Sequence, residues 1–285
     1  MNRHTRTVLG FWPHLILLPL AVVMFTPIVW LIAASLKSQT DFFVYLFFPT
    51  TENGWMIDFS RLTTVHIVNF FGSAGMGRAL ANSCFLASTA AVLGSLGAAG
   101  GGYALARLRF KWAPFVTALV LGLLIIPPPL LLAPTYKLLY DIGLLDSYGA
   151  IILPIVAPAF GVFLFRQATL QSVPRDLIEA ARVDGMGELT IFFNVALPLL
   201  RPMLGAFMII MFLATWNNFI SPQVFLHSTD KMPLAVAVAR LRGVYYQDYG
   251  LQMAAALVSI APPLLLFLLL QRDFVSGLTS GAVKG

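Results

Sequence analysis

The sequence predicts an all-α integral membrane protein with six transmembrane helices, and three observations indicate this class. Hydrophobic residues make up 59% of the 285 residues and charged residues only 11%. The mean hydropathy of +0.84 is far above that of ordinary soluble domains. The apolar residues also fall in six continuous runs, each close to the roughly 20 residues that a helix needs to cross a bilayer. Continuous runs favour helices over the alternating strands of a β-barrel.

The six predicted spans are separated by connections that hold nearly all the charge. Their approximate bounds are 12–36, 80–104, 113–134, 149–166, 202–226 and 250–270. Pro127 to Pro129 and Pro262–Pro263 predict breaks or kinks in the third and sixth spans. We expect a single transmembrane domain over 1–285, with an external connection at 37–78, a cytoplasmic loop at 167–201 and a cytoplasmic tail at 271–285.

Basic residues predict how these spans are oriented. Arg3 and Arg6 precede the first span, and Arg107, Arg109 and Lys111 fill the short second connection. Placing these connections inside puts 11 Lys and Arg in the cytoplasm and 7 outside, as the positive-inside bias requires. Both termini are then cytoplasmic. Membrane topology accounts for the net charge of +6, so we expect membrane lipid around the chain and no nucleic-acid partner.

Several functional classes are disfavoured by what the sequence lacks. An ion-coupled carrier usually needs ionisable groups at membrane depth, and no such group was identified here. The chain has no G-x-x-x-x-G-K-[ST] loop for ATP phosphates. Its four histidines are scattered and Cys84 is its only cysteine, so no metal site or catalytic cluster is indicated. We expect no enzyme activity, metal or cofactor on this chain.

Small residues line the second predicted span. Gly97 and Gly101 form a G-x-x-x-G pair, a pattern that lets two helices approach closely. The same glycines would also lower the cost of bending at a gate in a pore. Packing and gating both remain open at this stage.

The loop at 167–201 contains the most charged stretch, EAARVDGMGELTIFFNVALP, at 179–198. Pro174 predicts the start of a short helix on which Leu177, Ala180 and Ala181 form an apolar face. Gly185 predicts a left-handed turn that ends this helix.

A second short helix is predicted from about Glu188 to Ala196, after which Leu197–Pro198 turn the chain into the fifth span. Such an amphipathic segment suits either a groove on another protein or the membrane surface.

This stretch resembles the signature of ATP-binding-cassette (ABC) importer permeases, which runs E-A-A, three residues, G, nine residues, I, one residue, L-P. The matching positions are Glu179, Ala180, Ala181, Gly185, Leu197 and Pro198. Val195 replaces the usual isoleucine.

Other stretches resemble the carbohydrate-uptake branch, typified by the second permease subunit of maltose-type transporters. They are NS (82–83), YALARLRF (103–110), GLLDSYGAIILP (143–154), VPRDLIEAARVDG (173–185), TWNNF (215–219) and QRDFVSGLTSGAVKG (271–285). Asn218 stands where that branch often has glutamate.

The resemblance implies the fold of a type I importer permease and a set of partners. These are a second permease subunit, two copies of an ABC ATPase that binds ATP and Mg, and an extracytoplasmic solute-binding protein. The helix around 179–184 would be the coupling helix. The implied ATPase-coupling residues are Glu179, Ala180, Ala181, Arg182, Asp184, Gly185, Leu197 and Pro198.

The expected substrate is a neutral carbohydrate, either a mono- or an oligosaccharide. Amide and aromatic side chains suit sugar hydroxyls and rings, and the candidate pathway residues are Asn82, Tyr103, Thr215, Trp216, Asn217 and Asn218. Each could instead form an inter-helix hydrogen bond. Glycerol phosphate or another polyol is the alternative substrate, and an ion-coupled secondary carrier is the less favoured alternative mechanism.

Overall fold

The computed structural model describes residues 3–51, 54, 56–72, 74–241 and 248–282, with side chains between His14 and Gln271 outside those gaps. These residues are helical and contain no β-strand. The α-helices, in chain order, are α1 (Arg3–Ser35), α2 (Gln39–Val44), α3 (Val65–Phe71), α4 (Met76–Arg107), α5 (Ala113–Leu123), α6 (Leu132–Asp141), α7 (Tyr148–Ile152), α8 (Ala159–Ser172), α9 (Arg175–Val183), α10 (Glu188–Ile191), α11 (Leu197–Leu199), α12 (Arg201–Trp216), α13 (Ile220–Phe225), α14 (Leu234–Arg240) and α15 (Tyr249–Ala282).

Four helical stretches of the described chain are long and apolar enough to cross a membrane. They are His14–Ser35, Met76–Arg107, Tyr148–Ser172 and Tyr249–Gln271. Two bent helix pairs raise the number to six if each pair forms one span. The predicted six spans therefore lie at the upper end of what the described residues allow.

The third predicted span, 113–134, is not one straight helix. The segments Ala113–Leu123 and Pro128–Asp141 meet at 109°. The predicted break at Pro127 to Pro129 is confirmed, because each proline lacks a backbone N–H and restricts the residue before it. The helical part also extends beyond the predicted end, to Asp141.

The fifth predicted span, 202–226, is wrong as a continuous helix. Helix α12 ends at Trp216, and α13 begins at Ile220. Asn217 donates from its side-chain amide to the carbonyl oxygen of Leu213. The side-chain oxygen of Asn218 accepts from the backbone N–H of Ser221 at 3.2 Å. The two asparagine side chains thus bind nearby backbone groups, and such bonds compete with the regular helical pattern. The apolar composition of 202–226 gave no sign of this interruption.

At Pro262–Pro263 the sequence predicted a break or a kink, and the break is wrong, because α15 continues through both prolines. A kink there stays a prediction. Membrane helices tolerate proline where their surroundings satisfy the freed carbonyl groups. The helix runs beyond the predicted sixth span, 250–270, and includes most of the predicted tail at 271–285. The last three residues of that tail lie outside the described residues.

The chain groups into two compact units, and the single-domain expectation stays a prediction. The first comprises Met1–Gly77 with Val238–Ala261. A network of buried polar groups lies within it. The Nζ of Lys37 donates to the carbonyl oxygen of Tyr45 at 2.7 Å, and burial lowers the pKa of Lys37. The ring Nε2 of His66 lies 3.1 Å from the carbonyl oxygen of Lys37.

The aromatic stretch at 42–48 belongs to this first unit. Its residues begin in α2, where Phe42 stacks on Tyr249 with ring centroids 5.2 Å apart. Phe43 and Leu46 are exposed. The stretch therefore packs on one side and leaves apolar surface on the other.

The second unit comprises Arg78–Ala237 with Pro262–Gly285 and contains the small-residue face of α4. A Cβ built on Gly97 would overlap the carbonyl oxygen of Val156, and one built on Gly102 would lie 2.5 Å from the backbone nitrogen of Arg166. At Gly101 the nearest atom would be Cγ2 of Val162, at 3.1 Å. These approaches support the packing interpretation of the G-x-x-x-G pair.

Candidate functional site

The first part of the candidate site is helix α9, which follows directly on α8. Val173 between the two helices is buried, and Pro174 has the φ that favours helix initiation. The guanidinium of Arg107, at the C-terminal end of α4, donates to the carbonyl oxygens of Val173 and Thr169. The start of α9 is thereby tied to the end of the long helix α4.

One face of α9 is buried within the second unit. Ile178 is 1% exposed and Ala181 is 7% exposed. Leu177 and Ala180 are exposed. Of the predicted apolar face, Ala181 is buried inside the chain, while Leu177 and Ala180 lie at the surface. That this face contacts another protein or the membrane stays a prediction. Adjacent Leu177 and Ile178 are both apolar, so helical spacing alone did not decide which of them lies inside.

The opposite face of α9 mixes charged and apolar surface. Glu179, Ala180 and Asp184 are exposed. Val183 is 88% exposed, and Leu189 just beyond the turn is 76% exposed. Ala180 has a side chain of one carbon and lets another backbone approach closely. Apolar side chains bordered by carboxylates in this way are suited to contact with another protein.

Gly185 ends α9 as the sequence predicted. Its φ is +80°, a left-handed conformation that L side chains adopt only at a cost. The backbone N–H of Gly185 donates to the carbonyl oxygen of Arg182, and that of Met186 donates to Ala181, both at 3.0 Å. This pair of bonds is the Schellman arrangement of a helix C-terminus.

Glu188 closes the turn and was not among the predicted coupling residues. Its Oε1 accepts a 2.7 Å hydrogen bond from Nε of Arg182, and its Oε2 accepts one at 3.3 Å from the hydroxyl of Tyr103. The ring of Tyr103 also packs on Phe192, with centroids 5.5 Å apart. One carboxylate therefore joins α9, α10 and α4. Tyr103 and Glu188 are 85 residues apart, so no local sequence signal could reveal this contact.

The second half of the loop continues as a helix beyond the predicted end at Ala196. Residues Phe192–Ala196 form a π-helical turn, and Leu197–Leu199 follow as a helical turn. Pro198 follows the π-helical turn within this continuous helical segment. The predicted turn at Leu197–Pro198 is therefore displaced, and the chain bends by 85° between Leu199 and Arg201.

Asn82, the first predicted pathway residue, is fully engaged inside the second unit. Its side-chain nitrogen donates to the carbonyl oxygens of Asp230 at 2.9 Å and Met232 at 3.0 Å. Its side-chain oxygen accepts a 2.8 Å bond from the hydroxyl of Tyr148. These bonds join α4 to two later segments of the chain.

The predicted pathway residues do not form one cluster. Tyr103 lies 21 residues beyond Asn82 on α4, roughly 31 Å along the helix axis, and it contacts the loop containing Glu188. Trp216 is buried and stacks on Phe212 with centroids 5.5 Å apart. The structure thus separates Tyr103 from Asn82.

Thr215 and Asn218 do share a cavity, while Asn217 is exposed. The cavity holds about 50 Å³ and is also lined by Ser221 and Phe225. Small-molecule pockets usually hold roughly 300–1,000 Å³. This cavity is therefore too small for a sugar in the described conformation.

Long apolar helices combined with an exposed pair of short helices, α9 and α10, are the features of a membrane-embedded protein with a surface segment held in place by its own contacts. A family model described as "binding-protein-dependent transport system inner membrane component" matches residues 7–279. The chain therefore belongs to this family of transport permeases. It is a multi-pass protein of the plasma membrane and an ABC transporter permease.

Relatives match over most or all of the chain. The arabinooligosaccharides transport system permease protein AraQ of Halalkalibacterium halodurans is 35% identical and covers 100% of both chains. The lactose transport system permease protein LacG of Rhizobium radiobacter is 34% identical, covering 77% of this chain and 80% of the relative. The melibiose/raffinose/stachyose import permease protein MelC of Bacillus subtilis is 34% identical and covers 93% of both.

A solved structure shares the fold. It is the crystal structure of a bacterial ABC transporter involved in the import of the acidic polysaccharide alginate. One of its chains matches with a TM-score of 0.78 and 20% identity, covering 96% of this chain and 99% of that one. At this identity, the similarity shows the fold alone.

Proposed function

We propose that this chain is a permease subunit of a carbohydrate importer and that α9 with the Gly185 turn transmits force from a separate ATPase. The main support for this proposal is the exposed surface formed by Glu179, Ala180 and Val183. Hydrogen bonds from Arg107 and Tyr103 of α4 hold the chain just before and just after this helix. A rigidly held surface transmits displacement, whereas a loose loop would absorb it.

The proposed assembly contains a second permease subunit, two copies of an ABC ATPase and an extracytoplasmic solute-binding protein. ATP and Mg would bind to the ATPase, and this chain would perform no chemistry. Both termini and residues 167–201 would then be cytoplasmic. ATPase closure would switch the two permeases between inward- and outward-facing arrangements as rigid bodies.

The eight coupling residues implied by the motif would divide into two roles. Glu179, Ala180 and Asp184 would contact the ATPase, since they are exposed. The other five would hold the surface in shape, namely Ala181, Arg182, Gly185, Leu197 and Pro198. Arg182 is assigned to this second group because it binds Glu188.

The proposed solute is a neutral oligosaccharide or monosaccharide. The three relatives named above are called permeases for arabinooligosaccharides, for lactose and for melibiose, raffinose and stachyose. Glycerol phosphate would call for basic residues along the pathway, and the candidates Thr215, Trp216, Asn217 and Asn218 carry no charge. Tyr103 fits the coupling loop better than the pathway, and the bonds of Asn82 support a structural role.

Reconstitution tests the proposal. The full-length chain would be co-expressed with its neighbouring transport genes, purified in mild detergent and placed in proteoliposomes. We expect a soluble ATPase to co-purify, and its hydrolysis to rise when the binding protein and a sugar are added. Arabinooligosaccharides, lactose and raffinose would be compared with glycerol 3-phosphate. Uptake driven by an ion gradient without ATP, or stimulation by glycerol 3-phosphate alone, would overturn the proposal.

A further inference from the structure

A cavity rich in arginine lies between the C-terminal end of α4 and the side of α9 that carries Arg175 and Glu179. Its volume is about 170 Å³. It is lined by Ala106, Arg107, Leu108, Arg109, Arg175, Ile178, Glu179 and Arg182. Four arginines thus line one small space, although charged residues are only 11% of the chain.

Existing contacts leave part of this positive charge uncompensated. Arg182 is paired with Glu188, and Glu179 is the acidic residue in the lining. Four arginines are therefore set against two glutamates. The Nη2 of Arg107 donates to the carbonyl oxygens of Thr169 and Val173. The Nε of Arg107 is buried and has no hydrogen-bond partner among the described residues. A buried, unpartnered donor on a cation is costly and favours an acceptor nearby.

We propose that this cavity binds a phosphate group, supplied by the headgroup of an anionic phospholipid or by a free phosphate ion. Guanidinium groups match phosphate oxygens in charge and in the geometry of paired hydrogen bonds. The volume suits a group as small as a phosphate, because pockets for whole drug-sized molecules usually measure roughly 300–1,000 Å³.

The position in the chain is also that of a headgroup site. Arg107 ends a helix long and apolar enough to cross the membrane, and Arg109 follows two residues later. Basic pockets beside membrane helices on the cytoplasmic side are known to take anionic headgroups. This location rests on the proposed orientation of the chain, whereas the arginine cluster itself does not. A phosphate here would bridge α4 and α9 and would stiffen the support of the proposed coupling helix.

Two binding measurements on the purified full-length chain, without the ATPase, test the site. In one, equilibrium dialysis measures radiolabelled inorganic phosphate against chloride at constant ionic strength. In the other, native mass spectrometry of delipidated protein compares phosphatidylglycerol with phosphatidylcholine. We expect Arg109→Gln and Arg175→Gln each to weaken binding about tenfold, the effect of losing one charge-assisted hydrogen bond. Glu179→Gln should strengthen it, because a like charge leaves the lining.

Lys111→Gln is the matched control. Lys111 is exposed, belongs to the same basic connection and does not line the cavity. Arg109 and Arg175 are also exposed, so their variants should fold, and size-exclusion profiles would check this.

The dialysis and mass-spectrometry measurements together distinguish the source of the phosphate. Selective loss of phosphatidylglycerol from the arginine variants supports a lipid headgroup, and selective loss of inorganic phosphate supports a free ion. Binding that is unchanged in Arg109→Gln and Arg175→Gln, or equally reduced in Lys111→Gln, overturns the proposal. A failure of the ATPase to co-purify would count against the proposed function and leave these measurements unaffected.

Discussion

Helices α4 and α9 both carry small residues, but they use them in opposite ways. On α4, Gly97 and Gly102 lie against backbone atoms of the same chain, where a Cβ would overlap or crowd them. On α9, Ala180 is exposed and Gly185 has open space around its missing side chain. In α4 the small residues allow close packing within the chain. On α9 a small residue lies at the surface, where, in the proposed assembly, it leaves room for a partner.

This difference teaches that a small residue has at least three separate meanings. Gly97 is required for space, Gly185 for its left-handed backbone and Ala180, in the proposed assembly, for a partner. A larger side chain should therefore have a different effect at each position: a clash at Gly97, backbone strain at Gly185 and loss of partner contact at Ala180. The predictions below follow from that distinction, in order of decreasing effect.

The largest effect is expected for Gly97→Ala. The added Cβ would overlap the carbonyl oxygen of Val156, which belongs to the backbone and cannot rotate away. Overpacking of a tight site typically costs about 1–3 kcal/mol, and a backbone clash lies at the upper end. We expect little folded protein, measured as yield and Tm in detergent.

Gly100→Ala is the matched control for this change, since its Cβ would lie 3.9 Å from Cζ of Phe192. It should leave both yield and Tm nearly unchanged. Equal Tm values for Gly97→Ala and Gly100→Ala would contradict the claim that Gly97 is required for close packing of α4.

The second prediction compares Ala180→Trp with Ala181→Trp. Ala180 is exposed, so tryptophan there should leave Tm unchanged while weakening ATPase association about tenfold or more, through loss of close contact. Ala181 is buried, so tryptophan there should lower Tm directly. Pull-down of the ATPase and thermal unfolding, measured on the same samples, separate the two outcomes.

A lowered Tm in Ala180→Trp would show that this position packs internally. Full ATPase binding with normal uptake in the same variant would contradict the proposed coupling surface.

The third prediction concerns Gly185→Val. An added Cβ meets no atom within 4 Å, so we attribute the main cost to the φ of +80°. Left-handed backbone at a β-branched residue costs about 1–2 kcal/mol. We expect a modest fall in Tm and a larger fall in ATP-driven uptake, because the turn between α9 and α10 would shift.

Gly187→Val is the comparison for this position. Its φ is −73° and its missing side chain also has open space, so uptake should stay closer to wild type. Equal loss in the two variants would indicate that added bulk, not backbone conformation, is responsible.

The smallest effect is expected for Tyr103→Phe, which removes the 3.3 Å hydrogen bond to Glu188 and keeps the ring on Phe192. Loss of one such bond costs about 0.5–1.5 kcal/mol. A double-mutant cycle with Arg182→Gln, read by Tm, should show that the two bonds to Glu188 are coupled. Strict additivity would mean that the carboxylate does not link the two helices.

The sequence predicted those parts of the fold that depend on local chemistry. Apolar runs identified the long helices, Pro127 to Pro129 the break before α6, and Gly185 the turn after α9. The errors came where local chemistry is ambiguous. Asn217 lies just beyond the end of α12, where its side chain donates to the carbonyl oxygen of Leu213, while Pro262 lies inside a continuous helix. Neither outcome follows from residue type alone, because each depends on which groups can satisfy the freed backbone.

The site shows the same division. The coupling motif could be recognised because it fixes residue identities along one short segment. The roles of Arg107 and Glu188 could not, because both act on groups far away in the chain: Arg107 on Val173, and Glu188 on Tyr103. Tyr103 was grouped with Asn82 on residue type, but the two residues lie about 31 Å apart along one long helix.

The 85° corner between Leu199 and Arg201 has a mechanical consequence. Two rods joined at nearly a right angle exchange directions of motion. A push along the axis of the first reaches the second as a sideways sweep. A small displacement of segment 188–199 along its own axis would therefore tilt α12. It would not slide α12 lengthwise through the bilayer.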